Sequence, residues 1–173
     1  MDDPRAPSHN DEEAQRLLQA AFDAARAGDS SQIGRLLDQG VPVNAQNERG
    51  DTMLMLASYH GHLAATELLL ARGGDPMLRN ASGQNPLAGA AFKGHLEIIR
   101  RLATQASVDE AGPDGKTALM FAAMFNKVDV VQLLLELGAD PRRTDLSGNT
   151  AETLAATMGG ADAAALLAKA TGA

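Results

Sequence analysis

A block of about eight residues recurs along this chain at intervals of 33, 32 and 33 residues. It begins at Gly50 (Gly-Asp-Thr-Met-Leu-Met-Leu-Ala), at Gly83 (Gly-Gln-Asn-Pro-Leu-Ala-Gly-Ala), at Gly115 (Gly-Lys-Thr-Ala-Leu-Met-Phe-Ala) and, in reduced form, at Gly148. A unit of this length cannot bury its own apolar face, whereas stacked copies bury it against one another. The period therefore predicts a solenoid of stacked units rather than a domain with one central core.

Each repeat carries the signals of two short helices. A side chain that can cap a helix precedes the first apolar run, and these residues are Thr52, Asn85, Thr117 and Thr150. Pro86 follows one of them at the first helical position, where its missing N–H is not needed. Glycines mark the turn into the second helix (Gly28, Gly61 and Gly94) and the end of that helix (Gly40, Gly73 and Gly138). The Leu and Ile runs of the second helices are expected to face inward.

Composition limits both the core and the partner. Apolar residues make up 45% of the 173 residues and aromatic residues only 3%, so the core is aliphatic, which suits helices better than strands. The net charge of −7 disfavours nucleic acid and anionic membrane surfaces and suits a basic partner. With no cysteine, disulfides and thiolate metal sites are excluded. No secretory leader or membrane-length apolar run is recognisable, so a cytoplasmic location is expected.

The repeat resembles the ankyrin repeat. The similarity rests on the Gly-x-Thr-x-Leu opening, the Gly-His steps at 61–62 and 94–95, and the Gly-Ala-Asp ending at 138–140, which recur in register over about 14–170. It implies an all-α solenoid of stacked helix-turn-helix units joined by hairpin loops, with about five units including caps. The strings Tyr-His-Gly-His and Leu-Ala-Gly-Ala-Phe-Lys-Gly-His are similar to those of small stand-alone bacterial ankyrin-repeat proteins.

The resemblance also divides the chain into units. We expect a disordered tail over 1–10 and a single domain over 11–173, with a capping unit over 11–47, repeats over 48–80, 81–112 and 113–145, and a second capping unit over 146–170. A helix over 11–27, opened by a capping box of Asn10 and Glu13, would begin the first unit. Glu152 stands where the central repeats have leucine, which indicates an outer face. The second repeat is one residue short around 105–108, where a local irregularity is expected.

Several residues suggest chemistry that their context does not support. Gly115, Lys116 and Thr117 resemble the end of a phosphate-binding loop, but the glycine which that motif requires at position 110 is Glu110. His62 and His95 occupy one repeat position, where the resemblance implies hydrogen bonds between repeats rather than metal ligation. No nucleophile, base and orienting group form a set. We therefore expect neither an enzyme nor a cofactor or metal site.

The resemblance implies that a protein partner contacts the hairpin tips and the exposed ends of the first helices. On this chain those positions are Arg26, Glu48, Arg49, Asp51, Tyr59, His60, Gln84, Phe92, Lys93, Asp114, Lys116, Met124 and Phe125. Tyr59, Phe92 and Met124 are one period apart, with Phe125 adjacent, so stacking would align them as an apolar stripe on the concave face. Aromatic residues and methionine are enriched at interface hot spots. The alternative is that these side chains pack into the core. The competing location for the partner is a charged site at the hairpin tips.

The sequence thus favours a binding module that regulates or scaffolds one or a few protein partners through its concave face and hairpin tips. The alternative is a small-ligand-binding or enzymatic protein with a cryptic site in the groove. A monomer is expected, and self-association through the stripe is a further alternative. A groove open to solvent would favour a protein partner, whereas a closed pocket with buried polar groups would favour a small ligand.

Overall fold

A computed structural model of the chain describes residues 9–103 and 108–172, and ten helices lie in these ranges. They are α1 (His9–Ala27), α2 (Ser30–Asp38), α3 (Met53–Tyr59), α4 (Leu63–Ala71), α5 (Pro86–Lys93), α6 (Leu96–Leu102), α7 (Ala118–Met124), α8 (Val128–Glu136), α9 (Ala151–Thr157) and α10 (Ala161–Thr171). The described residues contain no strand, and a single antiparallel bridge joins Gln46 to Thr52. The all-α prediction is confirmed.

The helices form five consecutive pairs that stack into two layers. The first helices contact one another in the order α1, α3, α5, α7 and α9, and the second helices in the order α2, α4, α6, α8 and α10. Each first helix also packs against the second helix of its own pair. The main contacts between helices therefore lie within a pair or between neighbouring pairs, which is the organisation of a solenoid.

The N-termini of α3, α5, α7 and α9 are capped as predicted. The side-chain oxygen of Thr52 accepts a hydrogen bond from the Met55 N–H at 3.1 Å. Asn85 accepts one from the Ala88 N–H at 2.8 Å, and Thr117 and Thr150 make the equivalent bonds at the starts of α7 and α9. Each cap satisfies one backbone donor that the helix itself cannot pair.

The core lies between the two layers. Its largest fully buried side chains include Leu54, Leu87 and Leu119 from the first helices and Ile99 and Leu134 from the second helices. Met53, Met55 and Met120 are also buried, as expected of residues that fill irregular gaps. Glu152, at the position of those first-helix leucines, is only half-buried because α9 is the last helix of its layer.

A histidine of one pair is hydrogen-bonded to the pair before it. His62 Nε2 lies 2.8 Å from the carbonyl oxygen of Arg26, and His95 Nε2 lies 3.0 Å from that of Tyr59. These carbonyls belong to the last turns of α1 and α3, where the helix leaves acceptors unpaired. The structural interpretation of His62 and His95 is confirmed, because each ties neighbouring units together.

Two expectations about the ends of elements need correction. Helix α1 begins at His9, so Asn10 lies inside its first turn and does not open a capping box, and residues 9 and 10 do not belong to a tail. The rest of the predicted tail, residues 1–8, lies outside the described residues. Of the stretch 105–108, where the irregularity is expected, residues 105–107 also lie outside them. Helix α6 has seven residues where α4 and α8 have nine. The unit boundaries stay a prediction.

Candidate protein-binding groove

A groove of about 570 Å³ runs along the first helices on the side of the hairpin tips. Its floor is formed by α3 and α5 and its rim by the loops before them. The predicted residues that line it are Arg26, Glu48, Arg49, Asp51, Tyr59, His60 and Gln84. Parts of both predicted contact surfaces, the hairpin tips and the helix ends, thus border one groove. The remaining predicted helix-end residues do not line it, and these are Phe92, Lys93, Met124 and Phe125.

A second groove, of about 790 Å³, continues this one toward the N-terminus. It lies between α1 and the first hairpin tip, and Arg26, Glu48 and Arg49 line both grooves. Helix α1 has 19 residues where α3 has seven, so its first turns extend past the stack. Residues 10–16 are exposed there. The overhang of α1 therefore forms a side wall that the repeat pattern does not predict.

Three aromatic rings form a ladder across successive first helices. The rings of Tyr59 and Phe92 lie 6.3 Å apart and nearly parallel, and those of Phe92 and Phe125 meet edge to face at 4.7 Å. Tyr59 is 37% and Phe125 45% exposed, while Phe92 and Met124 are half-buried. The ladder therefore packs against itself and still presents apolar surface, which combines the two alternatives that the sequence left open.

Positive charge surrounds the N-terminal end of this ladder. The ammonium group of Lys93 lies 5.1 Å from the centre of the Tyr59 ring, a cation–π contact. Partial burial lowers the pKa of His60, and the neighbouring charges of His62, Lys93 and Arg26 lower it further. Asp23 offsets part of this field, because it pairs with Arg26 at 2.7 Å.

Side-chain amides and carboxylates fold the hairpin tips. Asn80 Oδ1 accepts hydrogen bonds from the backbone N–H groups of Ser82 and Gln84, both at 3.0 Å. Asn47 and Asp145 do the same in their own loops. Asn80 also donates to Asp51 at 2.9 Å, which joins adjacent tips. This network places the charged tip residues along one edge of the groove.

The remaining predicted tip residues lie in a neighbouring cavity. Asp114 and Lys116 line a space of about 200 Å³ that shares Gln84 with the main groove. Lys116 Nζ lies 3.0 Å from Asp114 and 3.6 Å from Asp145, which is buried. The hydrogen bond to Asp114 raises the pKa of Lys116. Backbone hydrogen bonds from Asn149 lower the pKa of Asp145. This charge cluster joins two tips.

Sequence reasoning missed the floor of the groove. Met55, Leu56, Pro86 and Gly89 all line it, and none of them was predicted to contact a partner. A signal was present, because Leu56, Gly89, Phe121 and Leu154 follow one another at the repeat period. What the pattern does not show is that one face of the first helices stays open to solvent.

The fold and this groove define a class of protein. The family model for ankyrin repeats (three copies) matches residues 21–111 and 104–173, so the chain belongs to the ankyrin-repeat family. Such repeats indicate a protein–protein interaction module. Among the described residues, no group of three or more histidine and acidic side chains could hold a metal ion. Within the same part of the chain, no helix is long and apolar enough to span a bilayer.

The relatives include small bacterial proteins. The putative ankyrin repeat protein YahD of Escherichia coli is 29% identical over 83% of this chain and 92% of its own length. The putative ankyrin repeat protein PA3287 of Pseudomonas aeruginosa is 48% identical over 34% of each chain. A Caenorhabditis elegans homolog of transient receptor potential cation channel subfamily A member 1 is 31% identical over 84% of this chain and 12% of its own. The chain thus spans about a third or less of the last two.

Proposed function

We propose that this chain is a non-enzymatic module that holds a partner protein in the groove and at the hairpin tips, and that it thereby regulates or scaffolds that partner. The observation that carries the proposal is the coincidence of both predicted surfaces on one groove, beside a ladder of aromatic rings. Partly exposed aromatic residues with a polar rim are the usual anatomy of an interface hot spot.

The shape of the groove supports a macromolecular partner. Exposed Glu48, Arg49 and His60 stand on its border, and every buried side-chain nitrogen or oxygen in the described chain has a hydrogen-bond partner. An enzyme or a small-molecule receptor would instead converge polar groups into an enclosed site. The bacterial relatives support a bacterial setting, and we propose a monomer in the cytoplasm as the working form.

The test is affinity capture from the native cell extract by the wild-type chain and by a variant that combines Tyr59→Ala, Phe92→Ala and Phe125→Ala. Each hot-spot residue contributes about 2 kcal/mol or more to binding, so the three substitutions together should abolish a complex of moderate affinity. Met77→Ala is the matched control, because it removes an apolar side chain of 36% exposure outside the groove. Circular dichroism and thermal melting establish that each variant remains folded.

A partner that is held by the wild type and the control but lost by the triple variant supports the concave face as the binding site. A partner that is held equally by all three contradicts it. Sedimentation of the purified chain at micromolar concentration tests the monomer, since association that disappears in the triple variant would show that the ladder binds a second copy instead.

A further inference from the structure

Gly89 lies inside a helix without a conformational reason to be glycine. It is the fourth residue of α5, and its φ is not in the left-handed region. Glycine at such a position destabilises a helix by roughly 0.5–1 kcal/mol relative to alanine. A Cβ atom added there would meet only the Cδ2 atom of Tyr59, at 3.5 Å, which is an ordinary contact. Neither backbone geometry nor packing among the described residues therefore excludes alanine at this position.

The absent side chain opens a notch in the floor of the groove. Leu56, Phe121 and Leu154 hold the same position in α3, α7 and α9. Gly89 lines the groove of about 570 Å³ together with Leu56, Tyr59 and Pro86. From α3 to α9, Gly89 is thus the one position of this row without an apolar side chain, and it lies beside the Tyr59 ring of the aromatic ladder.

Lys93 is the charged side chain next to the notch on α5, and none of the ion pairs among the described residues includes it. Lys93 follows Gly89 by one helical turn, about 6 Å along the axis, and His60 borders the same groove. Partial burial and the basic side chains around it lower the pKa of His60, so near neutral pH its ring offers a hydrogen bond rather than a charge. The acidic groups on this side are Asp23, which is paired with Arg26, and Glu48 and Asp51 at the hairpin tip. A carboxylate on the partner would therefore be bound favourably by Lys93 and His60, although the protein as a whole is acidic.

We propose that the groove receives one extended segment of the partner, with an aliphatic side chain of leucine size in the notch above Gly89 and a carboxylate beside His60 and Lys93. An extended chain covers the 6 Å between these points in about two residues, so the two side chains lie within about three positions of each other. The proposal rests on the proposed function and specifies the partner's chemistry. It departs from the expectation, based on net charge, of a basic partner.

The probe is a phage-displayed library of random dodecapeptides selected on the full wild-type chain. The expected consensus is Asp or Glu within about three positions of Leu, Ile or Met. The selected peptide is then measured by fluorescence anisotropy against Gly89→Ala, which should weaken binding about fivefold or more because one methyl group overfills the notch. The same substitution should raise the melting temperature by about 2–4 °C.

Gly34→Ala is the matched control. Gly34 is the other glycine inside a described helix, it lies in α2 of the outer layer, and an added Cβ would meet only Leu68, at 4.0 Å. Gly34→Ala should raise the melting temperature similarly and leave binding unchanged.

The carboxylate is tested by Lys93→Glu, which should weaken binding about threefold or more at low salt and less at about 0.5 M salt. Lys169→Glu in α10 controls for net charge.

Several results would overturn the proposal. They are a library that yields no peptide, a consensus without an acidic residue, and equal binding by the wild type and Gly89→Ala. The Tyr59, Phe92 and Phe125 triple variant shows whether only the notch proposal is wrong or whether the proposed function is wrong as well. A peptide that it loses but Gly89→Ala keeps contradicts only the notch, whereas a peptide that it keeps contradicts binding at the concave face.

Discussion

Gly61 and Gly73 form a natural pair for measuring what the histidine between repeats contributes. Both are exposed and have nearly the same backbone conformation, with φ of +85° and +86°. An alanine at either position must adopt the left-handed region, which costs about 1–2 kcal/mol. Their surroundings differ, because a Cβ on Gly61 would lie 2.8 Å from the His95 ring, whereas a Cβ on Gly73 would meet nothing within 4 Å.

Gly61→Ala must therefore displace the His95 ring in addition to straining the backbone. The displacement removes the 3.0 Å hydrogen bond between His95 Nε2 and the Tyr59 carbonyl oxygen. Loss of that bond costs about 1 kcal/mol, and lost packing adds to it. We expect Gly73→Ala to lower the free energy of unfolding by about 1–2 kcal/mol, and Gly61→Ala to lower it by about 1–2 kcal/mol more.

Urea unfolding followed by circular dichroism measures both differences. In a His95→Ala background the excess cost of Gly61→Ala should disappear, since the ring that it displaces is absent. Equal costs for the two glycine substitutions in the wild-type background, or an excess that persists without the ring, would refute the conclusion that His95 needs a glycine beneath it.

Three further predictions concern the core, a cap and the charge cluster. Leu119→Ala should destabilise the fold by about 2–5 kcal/mol in urea unfolding, because the side chain is 1% exposed; a cost below about 1 kcal/mol would show that the core collapses around the gap. Asn85→Ala should cost about 1 kcal/mol through loss of the 2.8 Å cap on α5, and Asn85→Ser should recover most of it. Asp145→Asn keeps the loop-forming acceptor that Asn47 and Asn80 supply elsewhere, but it removes one of the two carboxylate partners of Lys116. Since the folded pKa of Asp145 is below the usual 3.8, its stabilisation is present above that pH and is lost as pH falls through the folded pKa. The stability gap between wild type and Asp145→Asn should therefore close in acid unfolding experiments below about pH 4, and a gap independent of pH would contradict it.

How far the sequence predicted the site depends on the residue. The period placed Tyr59 and Phe92 on successive helices, and the structure stacks their rings. It paired Met124 with them, yet the ring that meets Phe92 belongs to Phe125, the C-cap residue that follows α7. Alignment of the repeats locates an equivalent position to within about one residue. On a helix, one residue corresponds to a rotation of about 100°, so an error of this size changes which side chain faces a neighbour.

The groove floor was beyond sequence reasoning for a different reason. Leu56 and Met55 read as core residues, and they are buried, yet both line the groove. Periodicity separates apolar from polar faces, but it does not show how closely the next loop approaches a face. The side wall formed by α1 could not be predicted for the same reason. The sequence pattern gives the length of the helix but does not show what lies beside its extra turns.

The sequence by itself determined the repeat, the two-helix unit, the caps and the glycines that end helices, because these depend on local dihedral preferences and on hydrogen bonds a few residues apart. Only the tertiary structure decided that hairpin tips and helix ends share one groove, that three aromatic rings touch, and that Asp145 is buried beside Lys116. Those contacts join residues about one repeat apart, so they depend on the rotation and spacing between stacked units. Packing of the whole core sets these quantities, and no single repeat encodes them.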